Sequence, residues 1–363
     1  MFAGHSHDGN GRVGNKCSGK TGKAAGKAGI SAPRNKEWEA FIMNKTRQKM
    51  SFAQFYQKFG TLLILIAVFA VASVLSPKFL SQANLTNVLR QIVVISVIGC
   101  GSCFILISGN INIAYDGLIA LLGCISCIIM TRTQNLFLAV LLTVILGALI
   151  GYLYGICVTT FKIPGFITGL AFNSVASGTI LLITGGVAVS YTGLGNFNVL
   201  GQGYIGPVPI CVIILLAILI GCHILLSQSC FGRKVYAVGG NRVAAATSGI
   251  NANRVVRQIF ILDGITCAIG SIIFMSRMNS GQPTGGAGYA FDAITAVCVG
   301  GVSISGGTGG VLGTLVGAAI VGIINNLLNL RNVDSNWQKV VSGCIILVAV
   351  TIDILVKNSL RKK

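Results

Sequence analysis

Apolar residues fall in ten runs, at about 60–75, 88–108, 117–131, 136–159, 164–184, 208–227, 254–276, 289–302, 309–328 and 339–356, with polar connections between them. An α-helix rises 1.5 Å per residue, so the longer runs cross a hydrocarbon layer of ~30 Å unaided. The runs at 117–131 and 289–302 are short and flanked by glycine. The pattern predicts an all-α, polytopic transmembrane helix bundle of about ten spans over residues 60–356. Eight or nine spans with re-entrant pieces satisfy it too.

One sizeable polar island interrupts this pattern, from Phe231 to Ile250, with Arg233, Lys234, Arg242, Arg254 and Arg257 in or beside it. Ser229-Cys230-Phe-Gly-Arg233 reads as the exit of a membrane helix and Gly239-Gly240-Asn241 as a break. Val243-Ala-Ala-Ala-Thr247 predicts a short helix along the membrane surface, closed by Gly249. Such a helix has no lipid to bury in and suits a groove on a soluble partner. Elsewhere glycine serves packing. Gly147, Gly151 and Gly155, and again Gly309, Gly313 and Gly317, have the spacing that puts small residues on one helix face, where backbones approach closely. A Gly-x-[Ile/Val]-x-Ile pattern recurs at Gly109-Asn-Ile-Asn-Ile113 and Gly300-Gly-Val-Ser-Ile304, each between two expected spans. Two similar halves with broken helices are a common transporter plan.

Composition excludes a soluble domain with a single core, since 53% of the 363 residues are hydrophobic and only 10% charged. The formal charge of +19 invites a nucleic-acid reading, but ten of the 27 Lys and Arg lie in residues 1–50 and most others end apolar runs, where they set orientation. With a cytoplasmic N-terminus and ten spans, six basic residues from 43 onward fall outside (Lys78, Arg90, Arg132, Arg277, Arg331 and Lys339) and the other fourteen inside. That puts both termini and the loop 228–253 in the cytoplasm, and the chain in the cell membrane. Residues 1–42 form a Gly- and Lys-rich tail in which disorder is expected. Met43-Asn-Lys-Thr-Arg-Gln-Lys-Met50 resembles a natural membrane-protein start, which would make 1–42 an extension, 43–59 a cytoplasmic segment and 357–363 a basic cytoplasmic tail. No cleavable signal peptide is expected. Gly14 to Thr21 matches the phosphate-loop spacing G-x-x-x-x-G-K-[ST], without the preceding strand or the α/β domain that the loop requires.

Candidate chemistry is sparse. Cys100-x-x-Cys103 and Cys124-x-x-Cys127 have ligand-like spacing but lie in apolar runs with no His or carboxylate nearby, so they read as small helix residues. From residue 43 onward there are five acids (Asp116, Asp263, Asp292, Asp334, Asp353) and one histidine, His223, expected to pack. Only Asp263 lies well inside a run, six residues after Arg257, where neighbouring helices or water can satisfy it. Asp292 is expected either to pair with Arg277 or to be solvated separately. No Ser/His/Asp set, carboxylate pair or metal cluster is present in this pattern, so no catalytic residue, cofactor or metal is expected, and energy for directed transport must come from another subunit. Asn112, Asn173, Ser174 and Asn325 are candidates for a solute path, with interhelical hydrogen bonding as the competing role.

Several segments, taken in order, resemble one family. They are Leu75-Ser-Pro-Lys-Phe-Leu80, Ile163-Pro-Gly-Phe-Ile167, Leu182-Ile-Thr-Gly-Gly186, Phe231 to Asn241 with Ser248-Gly-Ile250, Gly288 to Ile294, Gly300 to Gly307, and Asn325-Asn326 with Asn329-Leu330 and Trp337-Gln338. From about Phe59 to Leu355 the chain resembles the permease subunit of bacterial ABC-type sugar importers of the ribose/xylose/galactose class. The resemblance implies a pair of permeases (homodimer or heterodimer), two cytoplasmic ABC ATPase subunits and an extracytoplasmic sugar-binding protein. It makes 228–253 the ATPase-coupling element, through Gly232, Arg233, Gly239, Gly240, Asn241, Arg242, Ala245 and Gly249, and it gives Gly185–Pro207 a part in docking the binding protein. Where the family usually carries Gly-Gly-Ile-Asp-Leu-Ser-Val-Gly, this chain has Asn112 for the acid, Ala114 for the serine and Asp116 for the last glycine; Arg242-Val243 stand where acids are common. The expected function is ATP-driven import of a monosaccharide, with a nucleoside or branched-chain amino-acid permease, or a secondary carrier or channel, as alternatives.

Overall fold

The computed structural model describes residues 52–191, 197–334, 337, 340–348 and 351. The chain divides into two units, Met1–Ala53 and Gln54–Lys363. Only Phe52 and Ala53 of the first are described, so the tail at 1–42, its phosphate-loop spacing and its histidines lie outside the described residues, as does 357–363.

The described residues are helical nearly throughout. They begin with α1 (Phe52–Leu75), α2 (Gln82–Ile107), α3 (Tyr115–Thr133), α4 (Leu136–Thr159) and α5 (Gly165–Thr184). A connection of short elements follows: β1 (Val189–Ser190), α6 (Asn198–Gln202), β2 (Tyr204–Ile205) and β3 (Val208–Pro209). The chain continues through α7 (Ile210–Ser227), α8 (Cys230–Gly240), α9 (Arg242–Thr247), α10 (Ala252–Met278), β4 (Ser280–Gly281), α11 (Tyr289–Val299) and α12 (Val311–Leu330). The strands form two antiparallel pairs, β1 with β4 and β2 with β3.

Among the described residues, seven helices are long and apolar enough to cross a membrane: α2, α3, α4, α5, α7, α10 and α12. The run expected at 289–302 yields α11, only eleven residues. At about 16 Å it cannot cross a ~30 Å layer unaided. It stops because Gly301 takes a left-handed φ of +88°, which no regular helix continues through. The last expected run, 339–356, is helical over 340–348 and at 351; its other residues lie outside the described set.

Helices α2 and α10 form the buried centre, with α10 packed on α4, α2 and α3, and α2 also on α12, α11 and α7. The outer helices α4 and α7 expose Phe137, Ile145, Leu149, Leu216 and Ile220, the apolar faces expected of helices in lipid. The first glycine series sets the α4–α10 approach. A Cβ on Gly147 would lie 2.5 Å from the Gly264 carbonyl oxygen, one on Gly155 would lie 3.0 Å from Arg257 Cα, and one on Gly151 would overlap the Phe260 carbonyl. The second series does not form one helix face. Gly313 and Gly317 pack on Gly300 and Ala296, but Gly309 precedes α12, has φ +129° and lies against Val302. Equal spacing cannot distinguish a helical glycine from one that ends a turn.

The polar island also folds differently from expectation. Gln228 caps α7, and Ser229 accepts a hydrogen bond from Gly232 N at 3.1 Å to start a second helix, α8, where a simple helix exit was expected. Gly239 and Gly240 are the last residues of that helix, and the break falls on Asn241 alone.

Candidate functional site

Asn241 is shared by two helices. Its backbone caps α8, while its side-chain Oδ1 accepts from Val243 N and Ala244 N, both at 3.0 Å, to start α9. The following turn closes with Gly249 at φ +80° and Ile250 N donating to the Ala245 carbonyl at 3.0 Å. Within α9 only Ala245 is buried; Val243 is 75% exposed. The short helix therefore rests on the bundle by one residue and leaves the rest of its surface open. Arg242 donates to Asn253 Oδ1 at 2.8 Å, joining the start of α9 to the start of α10. Beside this bond lies a cleft of about 420 Å³, lined in part by Asn110, Lys162, Arg242 and Asn253. Arg233 is exposed, near Cys230 and the Gln228 carbonyl.

The C-terminal end of α8 meets two glycine-rich breaks. Gly232 packs on the Leu226 carbonyl and Gly239 on the Ile107 carbonyl, each too closely for a side chain. Gly307 N donates to that same Ile107 carbonyl at 2.8 Å, and a Cβ on Gly306 would fall 2.8 Å from the Gly239 oxygen and 3.0 Å from Gly109 N. The Tyr236 hydroxyl donates to the Gly309 carbonyl at 2.6 Å; burial raises its pKa, so it stays protonated and keeps that bond. The α2–α3 break, which follows Ile107, and the α11–α12 break thus converge on one helix end. The two sequence repeats lie in these breaks.

One turn further on, the α2–α3 break reaches α10 through a buried polar cluster. Asn112 Nδ2 donates to Asp263 Oδ2 at 2.8 Å, and the Tyr115 hydroxyl donates to Asp263 Oδ1 at 2.7 Å. Asn112 Oδ1 accepts from Ala114 N at 2.8 Å. All three residues are 2% exposed or less, so each carboxylate oxygen depends on its single side-chain donor for the solvation it has lost. Gly101 on α2 makes the space, since a Cβ there would lie 2.7 Å from Asp263 Oδ1.

The other polar candidates are separated in space. Asn173 Oδ1 accepts from Gly117 N at 2.7 Å, tying α5 to α3, whereas neighbouring Ser174 is exposed and bonds back to Leu170. Asn325 donates to Asp292 at 2.9 Å, and Ser342 donates to its other oxygen at 3.1 Å. These two partners, not Arg277, satisfy Asp292, because α12 packs directly on α11. Arg277 instead offers its carbonyl to Gln202 at 2.9 Å, and Arg90 donates to the Gln202 carbonyl at 2.9 Å. Cys100, Cys103, Cys124 and Cys127 are buried free thiols.

Two contacts went unseen in the sequence. Asp116 accepts from Gly288 N at 3.1 Å and Ala290 N at 2.8 Å, capping α11 from another helix. Asn84 and Asn326 exchange amide hydrogen bonds of 3.0 and 2.9 Å between α2 and α12. Asn326, an amide inside an apolar run, was the available signal for the second; the first has none in local spacing.

Comparison with known proteins adds a family-scale view. The family model described as branched-chain amino acid transport system / permease component matches residues 84–350. The ribose import permease protein of Bacillus subtilis (strain 168) is 38% identical over 313 residues, covering 85% of this chain and 97% of that protein. The ribose import permease protein of Escherichia coli (strain K12) is 35% identical over 296 residues, 81% of this chain and 92% of that protein. The L-arabinose transport system permease protein of the same strain is 33% identical over 312 residues, 85% and 93% respectively. No solved structure matches the chain.

Proposed function

The chain belongs to the family of branched-chain amino acid transport system permease components, and from that membership we propose that it is the membrane-spanning permease subunit of an ATP-driven importer of a monosaccharide. The observation that carries this is similarity along nearly the whole length of permeases for ribose, arabinose and allose, at 30–38% identity. Those names favour a sugar over a nucleoside or an amino acid as solute. The absence of a carboxylate relay in the sequence pattern argues against a secondary carrier.

In this reading nucleotide hydrolysis resides in separate cytoplasmic ABC ATPase subunits, a sugar-binding protein delivers the solute from outside, and a second permease copy, identical or related, completes the pore. The helix α9, open over all but Ala245, is the surface that seats on the ATPase, with Arg242 at its first position and Arg233 exposed on the preceding helix α8. Gly232, Gly239, Gly240, Asn241 and Gly249 give the element its shape. Closure of the ATPase pair would push α9, and the bundle would rock between inward- and outward-open forms. Asn112, Asn173 and Asn325 act chiefly as interhelical hydrogen-bond residues, leaving Ser174 as the path candidate with an exposed side chain.

Reconstituted in vesicles with its ATPase and binding protein, the permease should accumulate ribose only when ATP and every component are present. Deletion of Val243–Gly249 should abolish that uptake. Uphill accumulation by the isolated polypeptide, or uptake that survives the deletion, would overturn the proposal.

A further inference from the structure

Resting on that reading, we infer that Asp263 is a positioning residue that carries the movement of the coupling helix to the α2–α3 break. The mechanical connection can be followed residue by residue. Helix α9 is fixed to α10 at its start by the Arg242–Asn253 bond and at its end by a four-residue connection closed by the Ile250–Ala245 hydrogen bond. From Asn253 the helix runs without interruption to Asp263, a distance of about 15 Å. There the carboxylate holds two residues of the segment joining α2 to α3, Asn112 in the break and Tyr115 at the first position of α3. A displacement of α9 that moves α10 therefore pulls on the break between α2 and α3, where helical hydrogen bonding is already interrupted.

The chemistry suits such a linkage. A buried carboxylate with one donor on each oxygen is held firmly while both bonds last, and loses its partners together when they break, so it favours two discrete arrangements over a continuum. The donors come from the break and the acceptor from α10, so separation of those elements is what would break it. Gly101, with no side chain, lets the α2 backbone pack closely on α10 at Asp263 while leaving room for the carboxylate to reach Asn112 and Tyr115.

The test follows from which atoms donate. In the double variant Asn112→Asp/Asp263→Asn, every bond can be kept with roles exchanged: residue 263 donates to 112 and still accepts from Tyr115, and residue 112 still accepts from Ala114 N. In Asp263→Asn alone, an amide Nδ2 turned toward Asn112 meets another donor, and turned toward Tyr115 it forces the hydroxyl to accept instead of donate; in either orientation the pair of bonds to a carboxylate is broken. Each permease is reconstituted with the ATPase and binding protein, and ribose taken up per ATP hydrolysed is measured. Asp263→Asn should lower this ratio about tenfold while hydrolysis continues, and Tyr115→Phe should lower it less, about threefold. The double variant should return to within about twofold of wild type.

A ratio unchanged in Asp263→Asn, a parallel fall in uptake and hydrolysis, or a double variant that does not recover would each overturn the inference while leaving the transport reading intact. If Asp263→Asn fails to reach the membrane, an unchanged ratio in Tyr115→Phe overturns it equally. A wild-type complex that takes up no ribose refutes the transport reading, and the inference with it.

Discussion

Asp116 illustrates a side chain whose work lies in an element far from its own. Helix α11 starts at Gly288 with no side-chain cap within its own sequence, and the N–H groups of Gly288 and Ala290 are taken by Asp116 from 172 and 174 residues away. The negative charge also meets the positive end of the helix dipole. Asp116→Ala should cost about 1–2 kcal/mol and lower the unfolding temperature of the purified permease, while Asp116→Asn, keeping one acceptor oxygen, should cost less. Equal unfolding temperatures for the three proteins would show that the contact contributes no stability. In the sequence this residue is visible only as a departure from a family pattern, because a contact between elements leaves no trace in local spacing. Asn112, Asp263 and Asn325 are a partial contrast. Each is conspicuous as a polar residue in or beside an apolar run, so their importance was legible, but which residue answers which was not. For that reason neither alternative for Asp292, pairing with Arg277 or separate solvation, anticipated Asn325 and Ser342.

At the scale of elements, helix runs were legible and their ends were not. Hydrophobicity marks where a chain can be buried, whereas a helix ends on backbone conformation, as at Gly301 and Gly309, both with positive φ. The series Gly147, Gly151, Gly155 lies in an unbroken α4, on the face that meets α10. It makes a quantitative expectation possible. A leucine at 151 would push into the Phe260 carbonyl on α10 and should cost about 3 kcal/mol or more, since neither backbone can yield without parting the helices. Gly178 on α5 is a matched control: it is helical, and no atom lies within 4 Å of an added Cβ. Gly178→Ala should be neutral or stabilise by about 0.5–1 kcal/mol. Thermal unfolding of the two variants in the same detergent compares them directly. Similar losses in both would mean that the close approach of α4 to α10 does not depend on glycine.

For the whole molecule, the membrane itself made the fold class readable, since a chain crossing lipid must satisfy its backbone internally and an apolar run of span length becomes a helix. The arrangement of those helices was harder to foresee, because apolarity does not rank them by burial. The most apolar, α4 and α7, with mean hydropathy 2.6 and 2.9, are among the most exposed, while α2 and α10, at 2.0 each, are the most buried. Lipid accepts an unbroken apolar surface, and the polar groups must be turned inward toward one another. Orientation then depends on charge, and it can be tested on one helix. Lys234 on α8 and Ile205 on β2 are exposed and flank α7 at its opposite ends, and the eighteen residues of α7 span about 27 Å. If α7 crosses the bilayer, cysteines at these two positions must label from opposite sides. The basic residues gathered around 228–253 predict which: Lys234→Cys should react only after the cytoplasmic face is opened, and Ile205→Cys in intact cells, in a background with Cys17, Cys230 and Cys344 changed to Ser. Labelling of position 234 from outside would place α9 away from any cytoplasmic ATPase, and the coupling mechanism would fall with the topology.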